Sequence, residues 1–151
     1  MTDIKVFESA GGADAFHRLT RRFYDQVAED PLLAPVFAGM TDGHVEGVAL
    51  WLGEVFGGPK RYSEERGGYP HMVARHVDRA LTEEQRARWV ELMIATARDV
   101  LPSNEKVQDR FRSYIVWGSR IALQNSQPGY EPPAAPDIPD WGWGKGGPPD
   151  E

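Results

Sequence analysis

Apolar residues recur along the chain at a helical period, and glycine or proline pairs separate the runs. Over residues 13–28, Phe16, Leu19, Phe23 and Val27 share one face while Arg18, Arg21, Arg22, Asp25 and Gln26 occupy the others, which predicts an amphipathic helix. Gly11-Gly12 stops a short helix before it, and Asp30-Pro31 opens a corner that runs through Leu32-Leu33 to Pro35-Val36-Phe37. From Asp42 to Phe56 a second stripe forms from His44, Val48, Trp51, Leu52 and Val55, closed by Gly57-Gly58-Pro59. Residues 60–70 are polar and contain glycines, which predicts a loop with room for one turn of helix. Thr82-Glu83-Glu84-Gln85 has the form of a capping box, and Trp89, Leu92, Met93 and Val100 line the face of the helix it starts, with Thr96 the one polar position. Pro102 breaks the chain, and Ser103 is placed to cap a last helix whose stripe is Val107, Phe111, Tyr114, Gly118 and Ile121. No stretch alternates with period two for long enough to form a strand, so the fold class is all-α.

The pattern ends near residue 126. Residues 127–151 hold seven prolines and five glycines in 25 positions, a share above the roughly 25–30% that marks low-complexity segments. The expected organisation is a folded domain over residues 1–126 and a Pro/Gly/Trp-rich extension over 127–151. Tyr130, Trp141 and Trp143 are poor choices for a solvated tail, so the extension is expected to lie across the domain or to dock on a partner.

Composition narrows the chemistry. A single domain of 151 residues buries enough surface to fold without staples, and there is no cysteine, which removes thiol catalysis, cysteine-ligated metals and covalent haem attachment. The start of the chain lacks the charged and apolar segments of a signal peptide, and no run of eighteen apolar residues occurs, so no membrane partner and a cytoplasmic location are expected. A net charge of -6 argues against a nucleic-acid partner, because phosphate binding needs a basic footprint.

The four histidines are His17, His44, His71 and His76. His71 and His76, five apart, diverge by more than a right angle on a regular helix and do not suit one shared metal. His44 and His76 lie on apolar faces of different segments, each by itself an ordinary half-buried histidine. Together with Phe23, Tyr24, Phe37, Trp51 and Trp89, the pair outlines walls for a flat apolar ligand. A non-haem site built on both histidines would need inward carboxylates, and Glu46 and Asp78 face the wrong way if the histidines point inward.

The succession FHRLTRRFYDQVAEDPLLAPVF, GGPKRYSEERGGYPHMVARH and ARWVELM resembles the group II truncated haemoglobins over about residues 5–125. The resemblance rests on Phe23-Tyr24, the Gly-Gly-Pro-x-x-Tyr-Ser-Glu segment, the Arg75-His76 pair, and Trp89 thirteen residues beyond that histidine. It implies a truncated globin fold, a two-over-two helical sandwich around haem b, with Gly11-Gly12, Gly57-Gly58 and Gly67-Gly68 at helix junctions. It also implies His76 as the iron ligand, with Met72 one turn before it among the cofactor contacts and the opposite axial position open to a diatomic gas. Arg75 and Tyr62 match positions that hold haem propionates, Phe37 matches the aromatic packed on the porphyrin, and Val48 fits the wall of the ligand side. Tyr24 and Trp89 match donors to the bound gas. His44 matches the distal histidine of longer globins, and three roles stand open for it: a third donor, a gate, or an internal sixth ligand.

Function follows the same resemblance. The partners it implies are O2, NO and CO, an unidentified reductase, and a second copy of the chain. Two donors on the ligand favour oxygen, nitric oxide or peroxide redox chemistry over simple oxygen transport. Whether the protein is an enzyme, a nitric oxide dioxygenase or a peroxidase, stays open, and no nucleotide-binding motif is present to supply its electrons. The competing reading is a globin-fold scaffold that acts on a partner through the C-terminal tail.

Overall fold

The computed structural model describes residues 5–76, 79–131 and 141. Among these, the helices are α1 (Val6–Ser9), α2 (Gly12–Val27), α3 (Asp42–Val55), α4 (Arg61–Arg66), α5 (Gly68–His76), α6 (Glu83–Val100) and α7 (Glu105–Asn125). No strand occurs among the described residues. Helix α2 lies along α3, α6 lies along α7, and α2 also packs on α6, so two helix pairs are layered on each other while α4 and α5 bridge α3 to α7.

The stripes predict this layering. Phe16, Leu19, Phe23 and Val27 of α2 are fully buried, and so are Met93 of α6 and Val107 of α7. The polar interruption in the α6 stripe is satisfied, because Thr96 Oγ1 donates to the Leu92 carbonyl at 2.7 Å and accepts from Gln26 of α2 at 3.0 Å. Helix α6 begins with both halves of the expected capping box, Gln85 N–H to Thr82 Oγ1 at 3.1 Å and Thr82 N–H to Gln85 Oε1 at 2.9 Å.

The corner after α2 is held by one buried carboxylate. Asp30 Oδ1 accepts the N–H groups of Leu32 and Leu33 at 3.0 and 3.1 Å, and its Oδ2 receives Arg88 Nε of α6 at 2.6 Å. The Arg88 guanidinium, ahead of the two backbone donors, holds the Asp30 pKa below its ordinary value. The corner that sets Phe37 beside Tyr24 is thereby fastened to α6.

Two expectations change. Residues 60–70 are not a loop: α4 occupies 61–66 and α5 starts at Gly68. The support comes from α3, where the Glu54 carboxylate accepts the Ser63 N–H at 2.9 Å and the Ser63 hydroxyl at 2.5 Å, so the first turn of α4 is capped from nine residues upstream. Gly67 then ends α4 at φ +96°, a left-handed conformation that suits glycine. The cap of α7 is Asn104 rather than Ser103, its Oδ1 accepting from Lys106 N–H at 2.9 Å and Val107 N–H at 3.3 Å.

Of the Pro/Gly-rich extension, residues 127–131 and Trp141 are described, and Trp143 lies outside the described residues. Trp141 is core, 1% exposed, with its backbone N–H on the Val55 carbonyl at 2.7 Å. Its ring stands edge-on to Tyr114 at 5.4 Å, and the Arg110 guanidinium lies 4.9 Å from its centre. At residue 141 the extension therefore meets the helical body instead of solvent.

Candidate functional site

The nine residues to which the resemblance gives site roles, Tyr24, Phe37, His44, Val48, Tyr62, Met72, Arg75, His76 and Trp89, line one cavity of about 570 Å³ together with Trp51, whereas Phe23, expected on the same wall, is fully buried core outside the lining. That volume falls within the roughly 300–1,000 Å³ of small-molecule and cofactor pockets. Helix α2 contributes Tyr24, α3 contributes His44, Val48 and Trp51, α4 contributes Tyr62, α5 contributes Met72, Arg75 and His76, and α6 contributes Trp89.

His76 closes α5, and its placement fixes its protonation. Nδ1 lies 2.8 Å from the Met72 carbonyl, one turn back, and a carbonyl can only accept. The ring proton therefore sits on Nδ1 and the Nε2 lone pair is free, the tautomer a metal ligand needs. Burial lowers the His76 pKa, outweighing the bond to Met72, so the neutral ring persists below the ordinary range of histidine.

The aromatic cluster around Tyr24 gathers residues distant in sequence. Tyr24 is 3% exposed, with its ring 5.5 Å from Phe37, 5.4 Å from His44 and 4.8 Å from Phe23, and Phe23 in turn stands 5.4 Å from Trp89. Burial pushes the Tyr24 hydroxyl well above its ordinary pKa, with the hydrogen-bonding Trp89 indole pulling the other way. The phenol thus keeps its proton across the physiological range and remains a donor. His44 is held at the first turn of α3, where Thr41 Oγ1 accepts its N–H at 3.3 Å. Its Nδ1 faces Arg75 Nη2 at 3.3 Å, and its Nε2 is buried with no protein partner among the described residues.

Arg75 is exposed and reaches from α5 to α3, while Tyr62 is buried beneath Trp51 at 5.2 Å. The sequence reading did not find Tyr69, Tyr114, Trp117 or Arg66, which also line the cavity. Tyr114 was legible only as core. Yet it accepts the Trp51 indole N–H at 2.7 Å, and it fits because Gly118, one turn on, carries no Cβ, which would stand 2.9 Å from the Tyr114 ring. Tyr69 sits in the segment read as loop, so its inward position followed from a helix the local pattern did not announce.

The donor set suits a haem. The walls are largely apolar with several aromatic rings, one imidazole offers a free lone pair, a guanidinium and other basic groups stand at the edge for carboxylates, and one buried imidazole nitrogen has no partner among the described residues. A two-layer helical fold around such a cavity defines a globin-like haem protein. Residues 5–116 match the family described as bacterial-like globin. A group 2 truncated hemoglobin of Lotus japonicus is 30% identical over 83% of this chain and 79% of its own length. Another of Bacillus subtilis is 33% identical over 54% of this chain, and the match spans 61% of that relative's length. The solved structure of a thermostable hemoglobin from Thermobifida fusca superposes with a TM-score of 0.70 at 34% identity, covering 80% of this chain and 97% of that one. The chain belongs to the bacterial-like globins and, within them, to the group II truncated haemoglobins. Membership implies a haem, and the globin family binds diatomic gases such as O2.

Proposed function

We propose that the protein holds haem b through His76 and binds dioxygen and related diatomic gases tightly, for redox chemistry on oxygen, nitric oxide or peroxide rather than for transport. The observation that carries this reading is the meeting, in one cavity, of a pre-set imidazole with the buried Tyr24 hydroxyl and the half-buried Trp89 indole. When bound, haem iron would supply the metal centre that takes up a small diatomic ligand. The chain's residues do the rest. His76 presents Nε2 because Met72 occupies Nδ1. Arg75, with Tyr62 nearby, would hold the propionates, and Phe37, Val48 and Met72 would pack on the macrocycle.

Tyr24 and Trp89 hold protons on groups that cannot ionise at neutral pH, Tyr24 in a buried setting and Trp89 in a half-buried one. There a hydrogen bond to a ligand carrying partial negative charge is strengthened, and ligand release slows. Slow release suits reaction at the site better than delivery. Electrons for turnover would come from a separate reductase. The scaffold reading loses one of its supports, because Trp141 is spent on the core instead of on a partner surface. A second copy of the chain remains a candidate partner, to be read from the mass in solution.

The test is oxygen dissociation from the haem-loaded, reduced protein by stopped flow. Tyr24→Phe should retain haem and release oxygen about tenfold faster, the effect of losing one hydrogen bond of 1–2 kcal/mol. Trp89→Phe should act in the same direction. Unchanged release in both variants would remove the donors from the ligand side and, with them, the case for tight binding.

A further inference from the structure

The buried Nε2 of His44 is a polar atom with no partner among the described residues, beside an arginine that reaches across from another helix. We propose that Arg75 is a positioning residue that fixes the ring proton of His44 on Nε2, making His44 a hydrogen-bond donor to the gas ligand and keeping it from coordinating iron. The inference rests on the haem reading and decides among the three roles left open for His44.

A guanidinium carries five N–H groups and no acceptor, so an imidazole nitrogen 3.3 Å from Arg75 Nη2 must accept. In a neutral imidazole the proton is then on the other nitrogen, Nε2. For Nε2 to bind iron it would need its lone pair back, with the proton moved to Nδ1. That would set an N–H against the N–H of Arg75, two donors facing with no acceptor between them. Arg75 therefore raises the energy of the coordinating tautomer and leaves the donating one in place before any ligand arrives. Ring orientation is fixed by the same neighbours: Tyr24 stands edge-on at 5.4 Å, Phe37 is tilted at 6.0 Å, and Thr41 holds the backbone.

The two histidines are thus set in opposite tautomers by the helix that ends at His76. Met72, on α5, accepts from Nδ1 of His76 and frees its Nε2 for the metal, while Arg75, on the same helix, donates to Nδ1 of His44 and occupies its Nε2 with hydrogen. Serving His44 takes one of the five guanidinium N–H groups, so a propionate contact by the others remains compatible.

The test uses the full-length chain labelled with 15N-histidine, as the diamagnetic ferrous carbon monoxide complex, with long-range proton–nitrogen correlation to read each ring. The expected result for His44 is a protonated Nε2 and a lone-pair Nδ1. Arg75→Met should lose that pattern, give a low-spin ferric spectrum absent from the native protein, and release oxygen faster. His44→Gln added to Arg75→Met should abolish the low-spin form, and Arg75→Lys, which restores a donor, should bring back the native tautomer. A protonated Nδ1 on His44 in the native chain, or an Arg75→Met variant with unchanged tautomer and ferric spectrum, would overturn the proposal while leaving the haem intact. Absence of a Soret band in the native chain is seen before any histidine is assigned, and it would overturn the haem reading and this proposal together.

Discussion

His44 shows how a single side chain senses its surroundings. Burial, ahead of the charges on Arg75, Arg79 and His76, pulls its pKa from 6.5 to about 4. The unfolded chain takes up this proton below about pH 6.5, whereas the folded chain resists until about pH 4. The stability His44 contributes is therefore complete above the upper value and is lost as pH falls through that window. Denaturant midpoints measured at about pH 7 and about pH 5 should drop for the native protein and drop less for His44→Gln. An equal drop in both would place the acid sensitivity elsewhere. Of the residues themselves, type and spacing marked His44, His76, Tyr24 and Trp89 as walls for a flat ligand and the family resemblance implied their roles, but neither implied that Arg75 touches His44. That contact joins α5 to α3 across 31 positions and has no local signature.

At the scale of the element, legibility followed the range of the stabilising interactions. Helices α2, α3, α6 and α7 were legible because each carries its own apolar stripe, and α6 also carries its own cap. Helix α4 was not, because its cap belongs to α3: the Glu54 carboxylate bonds Ser63 through both backbone and hydroxyl. The choice of Asn104 over Ser103 is finer still, since both residue types cap well and sequence alone does not separate them. Replacing Glu54 by alanine removes the α4 cap, a loss of about 0.5–2 kcal/mol in typical cases. Because α4 carries Tyr62 into the cavity, Glu54→Ala should lower the thermal midpoint and weaken retention of the cofactor. A shift in stability with unchanged retention would detach α4 from the site.

For the whole molecule, the extension and the body meet at Trp141. Composition alone reads residues 127–151 as loosely ordered, yet Trp141 is 1% exposed and rests on Tyr114, which accepts the indole of Trp51 at the cavity wall. Low-complexity composition predicts the absence of a helix, but it does not forbid one large side chain from finding a slot in the core. Trp141→Ala should cost about 3–5 kcal/mol, the usual range for emptying a large aromatic site, read as a lowered denaturation midpoint. No loss would mean that the side chain is not held there in solution. The layered helices were legible as a class, from their periodicity and from the motifs of the family. What their stripes could not give was how Tyr24, His44, Tyr62, His76 and Trp89, spread over five helices, converge on one cavity. The most direct measurement is the absorption spectrum of the purified protein titrated with haem, for the native chain and for His76→Ala. The account predicts a sharp Soret band at one haem per chain, retained in the native protein and lost in the variant. A native protein that takes up no haem, or a variant that holds it equally well, would contradict the central claim that this cavity binds haem through His76.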